Sequence, residues 1–182
     1  MLDFSNSKIL IVGDVMLDKY YFGKVDRISP EAPVPIVNIQ KEESRLGGAS
    51  NVANNIVSLG GHSLLCGVIG HDLFGKEIER ISRHKNIDTF LLKTSSPTIT
   101  KARIIGGKQQ IVRVDYEDKS ELNADNKKLF RDTISRILPE YDILVISDYG
   151  KGLISEDLCR YLIKLAHKYD KKVIIDPKGK NW

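Results

Sequence analysis

Three acidic residues come directly after apolar runs that are typical of buried strands. Asp14 follows ILIVG, Asp148 follows ILVIS, and Asp176 follows VII. Asp18 comes one short turn after the first of them. In open α/β sheets, ligands bind beyond the carboxyl ends of the strands, where carboxylates can accept hydrogen bonds from hydroxyl groups or help to hold metal-bound phosphate. The alternative interpretation is that each carboxylate caps a helix or a turn.

A glycine pair precedes a segment with helical periodicity in SRLGGASNVANNIVSLGG, residues 44–61. The free N–H groups of a helix that starts after Gly47 and Gly48 could bind a phosphate. Neither GxGxxG nor GxxxxGK[ST] is present, however, so the two standard phosphate-loop patterns give this hypothesis no support. The alternative is a tight strand-to-helix turn in which Asn51 caps the helix.

Basic side chains occupy both arms of a predicted hairpin around Gly106 and Gly107. Arg103 and Arg113, with Lys101 nearby, could bind a substrate phosphate through paired guanidinium hydrogen bonds. The alternative is a solvated hairpin face. The four histidines have no ligand spacing, which argues against a metal site built from them.

The composition is that of an ordinary globular domain. The chain has 182 residues and a net charge of +4, with basic and acidic residues interleaved, which argues against a nucleic-acid-binding surface. No apolar run approaches the roughly 20 residues that a membrane helix needs. We therefore expect no membrane partner. Cys66 and Cys159 form no CxxC pair or disulfide framework, so we expect reduced thiols and a cytoplasmic location.

Apolar runs alternate with amphipathic segments, which predicts an α/β fold with a mostly parallel, helix-covered sheet. Buried strands are expected at residues 8–14, 63–70, 143–150 and 172–179, and helices at 52–59, 74–85, 123–138 and 155–169. The last strand needs a neighbour to cover it, so either something else covers it or the chain is the first part of a longer domain.

Two β-rich insertions, near residues 15–46 and 94–117, have no helix between their strands. Because prolines cannot donate to a sheet ladder, we expect the proline-containing segments to form edge strands or loops. We predict that the two insertions form one small sheet that lies over the main sheet as a lid. A dinucleotide-binding fold is not favoured, because GDVMLD lacks the glycine fingerprint after the first strand.

Several motifs together resemble the ribokinase-like (PfkB) carbohydrate kinases. GGASNVANNIVSLGGHSLLCGVIG matches the first signature of that family, with Asn51 three residues after Gly48. GDVMLDKYYFGKVDRISPEAPVPIV is similar to the D-glycero-β-D-manno-heptose 7-phosphate kinases within the family, as are KARIIGGKQQIVRVDYE, ISDYGKG and IIDPKG. The resemblance runs through essentially the whole chain.

The resemblance implies that residues 1–182 are the N-terminal part of one ribokinase-like kinase domain, truncated before its nucleotide-binding part. Such enzymes use ATP and Mg²⁺ to phosphorylate a sugar hydroxyl, here the C1 hydroxyl of heptose 7-phosphate. The product feeds ADP-heptose synthesis for the lipopolysaccharide core. The lid often forms a dimer clasp in this family, so a homodimer is expected.

The resemblance also assigns roles to individual positions. Asp18 corresponds to the acceptor of sugar hydroxyl hydrogen bonds, and Arg103 to a ligand of the 7-phosphate. Gly47, Gly48, Asn51 and Asp148 correspond to sugar-binding positions, and Asp176 and Lys178 to positions near the nucleotide phosphates. Asp14 joins the predicted substrate-binding residues because of its place at the end of the first strand.

One family feature is missing. The second signature, Gly-Ala-Gly-Asp, supplies the catalytic base and an anion hole, and neither it nor the Asn-x-x-Glu segment that organises Mg²⁺ occurs in the sequence. Because phosphoryl transfer depends on positioning and electrostatic stabilisation, the chain alone is expected to be inactive, with its base beyond Trp182. The alternatives are another PfkB-type kinase or a non-catalytic fragment that binds sugar or dimerises.

Overall fold

The computed structural model describes residues 4–118 and 122–178, so both ends of the predicted domain, residues 1 and 182, lie outside the described residues. The strands are β1 (Lys8–Gly13), β2 (Val15–Ile28), β3 (Pro35–Gly48), β4 (His62–Gly70), β5 (Asp88–Thr94), β6 (Thr100–Gly106), β7 (Gln109–Tyr116), β8 (Ile143–Ser147) and β9 (Lys172–Asp176). The helices are α1 (Ala49–Ser58), α2 (Leu73–His84), α3 (Ala124–Ile137) and α4 (Glu156–Lys168), with a short 3₁₀ turn at Leu138–Glu140. In these ranges no helix is long and apolar enough to cross a membrane.

The main sheet confirms the predicted α/β class. Its five strands run parallel in the order β5-β4-β1-β8-β9. The central strand β1 is buried on both faces: Leu10 packs in a core with α3 and α4, and Ile11 packs in a second core with α1 and α2. This two-sided burial explains why β1 reads as a continuous apolar run.

One strand of the main sheet, β5, was not predicted. It lies at an edge, and its sequence DTFLLKT is only partly buried, so it lacks the long apolar run of a central strand. Phe90 of this strand packs on Phe130 of α3, with ring centroids 5.8 Å apart. No local pattern in the sequence encodes that tertiary contact.

The two insertions form the predicted second sheet, with the order β3-β2-β6-β7. β2 is antiparallel to β3 and parallel to β6, and β6 and β7 form a hairpin in which Gly107 adopts a positive φ of 62°. Pro35 begins β3, which is an edge strand, as expected for a residue without an N–H donor. We call this four-stranded sheet the lid.

The expectation that the last strand is buried is wrong for the described residues. β9 pairs with β8 on one side, and Ile174 is 54% exposed. Val173 and Ile175 are only partly buried. The strand forms because its apolar run pairs in register with β8, but the Ile174 side chain has little cover among residues 4–118 and 122–178.

Candidate functional site

An open cleft of about 630 Å³ lies where the lid meets the carboxyl end of the main sheet. β2 begins one residue after β1 ends, so the lid continues directly from the central strand. Five of the nine residues that the sequence predicted for the site line this cleft: Asp18, Gly47, Gly48, Asn51 and Arg103. Asp14, Asp148, Asp176 and Lys178 do not line it.

Asp18 and Arg103 form an ion pair inside the cleft. Arg103 Nη1 donates to Asp18 Oδ1 at 2.6 Å, and both side chains are about one-fifth exposed, at 20% and 22%. The pair forms because the parallel register of β2 and β6 sets Asp18 opposite Lys101 and Tyr20 opposite Arg103. Arg103, which the sequence analysis proposed as a phosphate ligand, therefore donates to Asp18, which it proposed as an acceptor for sugar hydroxyl groups.

Tyr20 is a cleft residue that sequence reasoning missed. Its ring lies between two guanidinium groups, with Arg45 Cζ 4.8 Å and Arg103 Cζ 5.2 Å from the ring centroid. Stacking of this kind holds a guanidinium plane in place. The only signal in the sequence is the alternation DKYYF, which sets Asp18, Tyr20 and Phe22 on one face of β2.

The glycine pair makes the turn into α1 and brings backbone close to the cleft. Gly48 is the N-cap residue, with φ 54° and ψ −135°, and no side chain in the described part of the protein caps the helix. A Cβ on Gly48 would lie 2.5 Å from the Asp14 carbonyl oxygen, and one on Gly47 would lie 2.6 Å from Asp18 Oδ2. The alternative interpretation, in which Asn51 caps the helix, is therefore wrong. The exposed side chain of Asn51 lines the cleft instead.

Asp14 lies behind the cleft and organises the loop after β8. It is 1% exposed, and its carboxylate accepts hydrogen bonds from the backbone N–H groups of Tyr149 (2.8 Å), Lys151 (3.1 Å) and Leu153 (3.4 Å). Burial raises the pKa of the Asp14 carboxyl above its ordinary value of 3.8, although the three N–H groups favour the charged form. Asp14 thereby fixes the loop that places Tyr149 in the cleft.

The other predicted acids lie together farther along the same edge of the sheet. Asp148 accepts hydrogen bonds from the N–H groups of Gly150 at 2.7 Å and Lys178 at 3.4 Å, and its own N–H donates to the Asp176 carbonyl oxygen at 3.0 Å. Asp176 and Lys178 are exposed. The structure thus brings these three residues together beside the cleft, at the ends of β8 and β9.

A buried hydrogen-bond network ties the lid to the main sheet. Asp72, the N-cap of α2, accepts from Gly75 N–H and from both the N–H and the hydroxyl group of Thr98, at 2.7–2.8 Å. The Thr98 hydroxyl oxygen in turn accepts from Gly70 N–H at 2.8 Å. Thr98 comes just before β6, so this network fixes the start of the strand that carries Lys101 and Arg103.

Residues 6–181 match the model of the pfkB family carbohydrate kinases. The chain belongs to this family. The pfkB chain is also 47% identical over 177 residues to the bifunctional protein HldE of Helicobacter pylori strain P12, and 43% identical over 172 residues to that of Nitratiruptor sp.. These matches cover 96% and 94% of the chain but only 38% and 37% of the relatives.

Solved structures of pfkB-like kinases share the fold. A putative phosphofructokinase from Staphylococcus aureus superposes with a TM-score of 0.76 at 15% identity, covering 93% of this chain and 53% of that one. Phosphofructokinase-2 from Escherichia coli, in complex with fructose-6-phosphate, gives a TM-score of 0.69 at 20% identity, covering 99% and 56%. The ribokinase-like fold predicted from the sequence is confirmed.

Proposed function

We propose that this pfkB chain is the sugar-binding and lid part of an ATP-dependent kinase for D-glycero-D-manno-heptose 7-phosphate, acting on the C1 hydroxyl. The observation that carries the proposal is the cleft between lid and main sheet, where Asp18, Gly47, Gly48 and Asn51 meet. The heptose substrate is supported by the subfamily-like sequence of residues 13–37 and by the 47% identity to an HldE protein. The product would serve ADP-heptose and lipopolysaccharide core synthesis.

The cleft has the groups that a sugar requires. The Asp18 carboxylate accepts hydrogen bonds only, so it suits the hydroxyl donors of a sugar, whereas the Asn51 amide can both donate and accept. Gly47 and Gly48 have no side chain, and crowding by Met16 and Asp18 leaves no room for one, so the backbone can approach the ligand closely. Arg103 holds Asp18 in position through their ion pair.

For the nucleotide, we propose that Asp176 and Lys178 face the phosphates of ATP. Lys178 is an exposed cation whose side-chain stem passes Gly150, and whose N–H donates to Asp148. A cation beside carboxylates at the carboxyl end of parallel strands fits a nucleotide with its metal ion. Mg²⁺, when bound with ATP, neutralises phosphate charge. No Gly-Ala-Gly-Asp segment occurs in the 182 residues, so we expect binding without turnover from this chain alone.

Two further parts of the proposal concern assembly and location. We infer a homodimer formed through the lid, because apolar side chains gather on its surface around a groove of about 540 Å³ that includes Val37, Ile39 and Val112. We also infer a cytoplasmic enzyme, since an ATP-dependent kinase needs the cellular nucleotide pool.

The missing second signature favours one alternative function, a non-catalytic module that binds sugar and dimerises.

The test is calorimetric binding of heptose 7-phosphate, fructose 1-phosphate, ribose and ATP to the full-length protein. Preference for heptose 7-phosphate supports the proposal, and preference for another sugar contradicts it. Asn51→Ala should weaken sugar binding roughly tenfold or more, while ATP binding changes little. Asn55→Ala is the matched control, because Asn55 is exposed on the same helix outside the cleft. Turnover by the 182-residue chain would contradict the expected lack of a base.

A further inference from the structure

The cations of the cleft differ in whether a carboxylate already neutralises them. Arg103 pairs with Asp18, and Arg45 donates to Glu43 at 2.6 Å. Lys101 lines the same cleft and is half-buried, but within residues 4–118 and 122–178 its ammonium group has no ion pair and no hydrogen bond. A half-buried ammonium without a partner is unusual, because burial costs free energy unless a counter-charge is present.

The acids nearest to Lys101 are engaged by arginines. In the strand register Lys101 lies opposite Asp18 on β2 and opposite Asp115 on β7. Asp18 accepts from Arg103, and both oxygens of Asp115 accept from Arg113, at 2.8 and 2.9 Å. Three cations therefore share two carboxylates on this face of the lid, and one positive charge of the lid is left over at the cleft, in addition to the exposed Lys85 of the main domain, which also lines it.

The charges around Lys101 also indicate an excess of positive charge. Burial lowers the pKa of Lys101, and the nearby positive charge of Lys151 lowers it further. Asp18 and Asp115 act in the opposite direction, while Arg113 adds to the lowering. A bound anion would relieve both the burial and the repulsion, since an opposite charge within a few ångströms favours the charged ammonium.

We propose that Lys101 binds the phosphate group of a sugar phosphate in this cleft, and that Arg103 is instead a positioning residue for Asp18. This proposal rests on the proposed function, because it assigns one group of the same substrate. A phosphate dianion gains most from a cation that has no other partner, whereas Arg103 would have to leave Asp18 to reach it. Lys101 therefore selects phosphorylated sugars over neutral ones.

The experiment compares two ligands, heptose 7-phosphate and the same heptose without phosphate, by calorimetry on the full-length protein. Lys101→Met should weaken binding of the phosphorylated sugar roughly 10- to 100-fold and change binding of the neutral sugar less than about threefold. Lys101→Arg, which keeps the charge, should restore most of the affinity. Arg103→Met should weaken both ligands alike, because it acts through Asp18, and Lys108→Met at the exposed hairpin tip should change neither.

The outcomes separate this proposal from the proposed function. An equal loss for both ligands in Lys101→Met, or no loss with either, overturns the role of Lys101, provided that the variant keeps the wild-type melting temperature. Lys101→Gln, which removes the charge but keeps a polar side chain, decides the matter by the same comparison of the two ligands if the methionine variant does not fold. If fructose 1-phosphate binds in place of heptose 7-phosphate and still depends on Lys101, only the heptose assignment fails. If no sugar phosphate binds to the wild-type protein, the Lys101 proposal is overturned as well.

Discussion

Arg103 Nη1 lies 2.6 Å from Asp18 Oδ1, although the two residues are 85 positions apart in the sequence. The contact spans two parallel strands of the lid, and Tyr20 packs against the same guanidinium group. Because one carboxylate oxygen of Asp18 accepts from Arg103, its other oxygen, Oδ2, is directed toward Gly47. The pair thus directs a charged acceptor toward the Gly47 backbone in the cleft lining.

Asp18→Asn should impair sugar binding far more than folding. An amide replaces the charged acceptor, so we expect affinity for the sugar to fall roughly 10- to 100-fold. The free energy of unfolding should fall by no more than about 1 kcal/mol, because the ion pair is partly exposed. Calorimetry and urea unfolding measure the two effects. Glu79→Gln, which breaks a more exposed ion pair with Lys93 outside the cleft lining, is the control and should leave sugar affinity unchanged.

Gly48→Ala should destabilise the protein more than Gly107→Ala. Both glycines have a positive φ, 54° and 62°, so an alanine costs about 1–2 kcal/mol at either position. At Gly48 the new Cβ would also lie 2.5 Å from the Asp14 carbonyl oxygen, whereas at Gly107 no described atom beyond the adjacent residues would lie within 4 Å. We expect Gly48→Ala to lower the free energy of unfolding by roughly 1–3 kcal/mol more, as seen for overpacked cores. Equal losses in urea unfolding would show that the crowding is relieved by movement.

Asp72→Asn should remove stability that depends on pH. Burial would raise the pKa of the Asp72 carboxyl, but hydrogen bonds from Thr98 and Gly75 outweigh it and lower the pKa below its ordinary value of 3.8. The unfolded chain therefore binds the proton more tightly, so the stabilisation is fully present above 3.8 and is lost as the pH falls through the lower, folded value. Urea unfolding of both proteins at several pH values should show a difference at pH 7 that shrinks in acid.

The control for this prediction is another helix cap without a titrating group. Ser155 caps α4 by accepting from Leu158 N–H at 3.2 Å. Ser155→Ala should cost about 1 kcal/mol at every pH, because the hydroxyl does not titrate. A difference between wild type and Asp72→Asn that stays constant in acid would mean that the carboxylate charge contributes nothing.

Val112→Glu should dissociate the proposed homodimer. Val112 is 45% exposed and lines the apolar groove of the lid, so a carboxylate there would be desolvated in an interface between two lids. Sedimentation velocity should show a dimer for wild type and a monomer for the variant. Leu129→Glu is the matched control, since Leu129 is 48% exposed on α3, away from the lid. A variant that stays dimeric would place the interface elsewhere.

The glycine turn before α1 could be predicted from the sequence because a local requirement defines it, whereas the place of Asn51 in the cleft followed only from the family resemblance. The Gly48 turn needs a positive φ, and α1 follows it at once, so the pattern is visible in a few consecutive residues. The role of Asp14 was harder to predict. Its position after an apolar run indicated a place at the edge of the sheet, but only the folded loop reveals that three backbone N–H groups engage it.

The sequence by itself determined the alternation of strands and helices, the central strands and the separate lid. Continuous apolar runs mark strands that are buried on both faces, and Pro35 and the Gly106–Gly107 pair mark the lid edge and its hairpin. Tertiary structure alone decided that β2 pairs in parallel with β6, which places Arg103 on Asp18 and leaves the Lys101 ammonium group without a partner among the described residues. The reason is physical: ion pairs depend on which strands lie side by side and in which register, and no local periodicity encodes that choice.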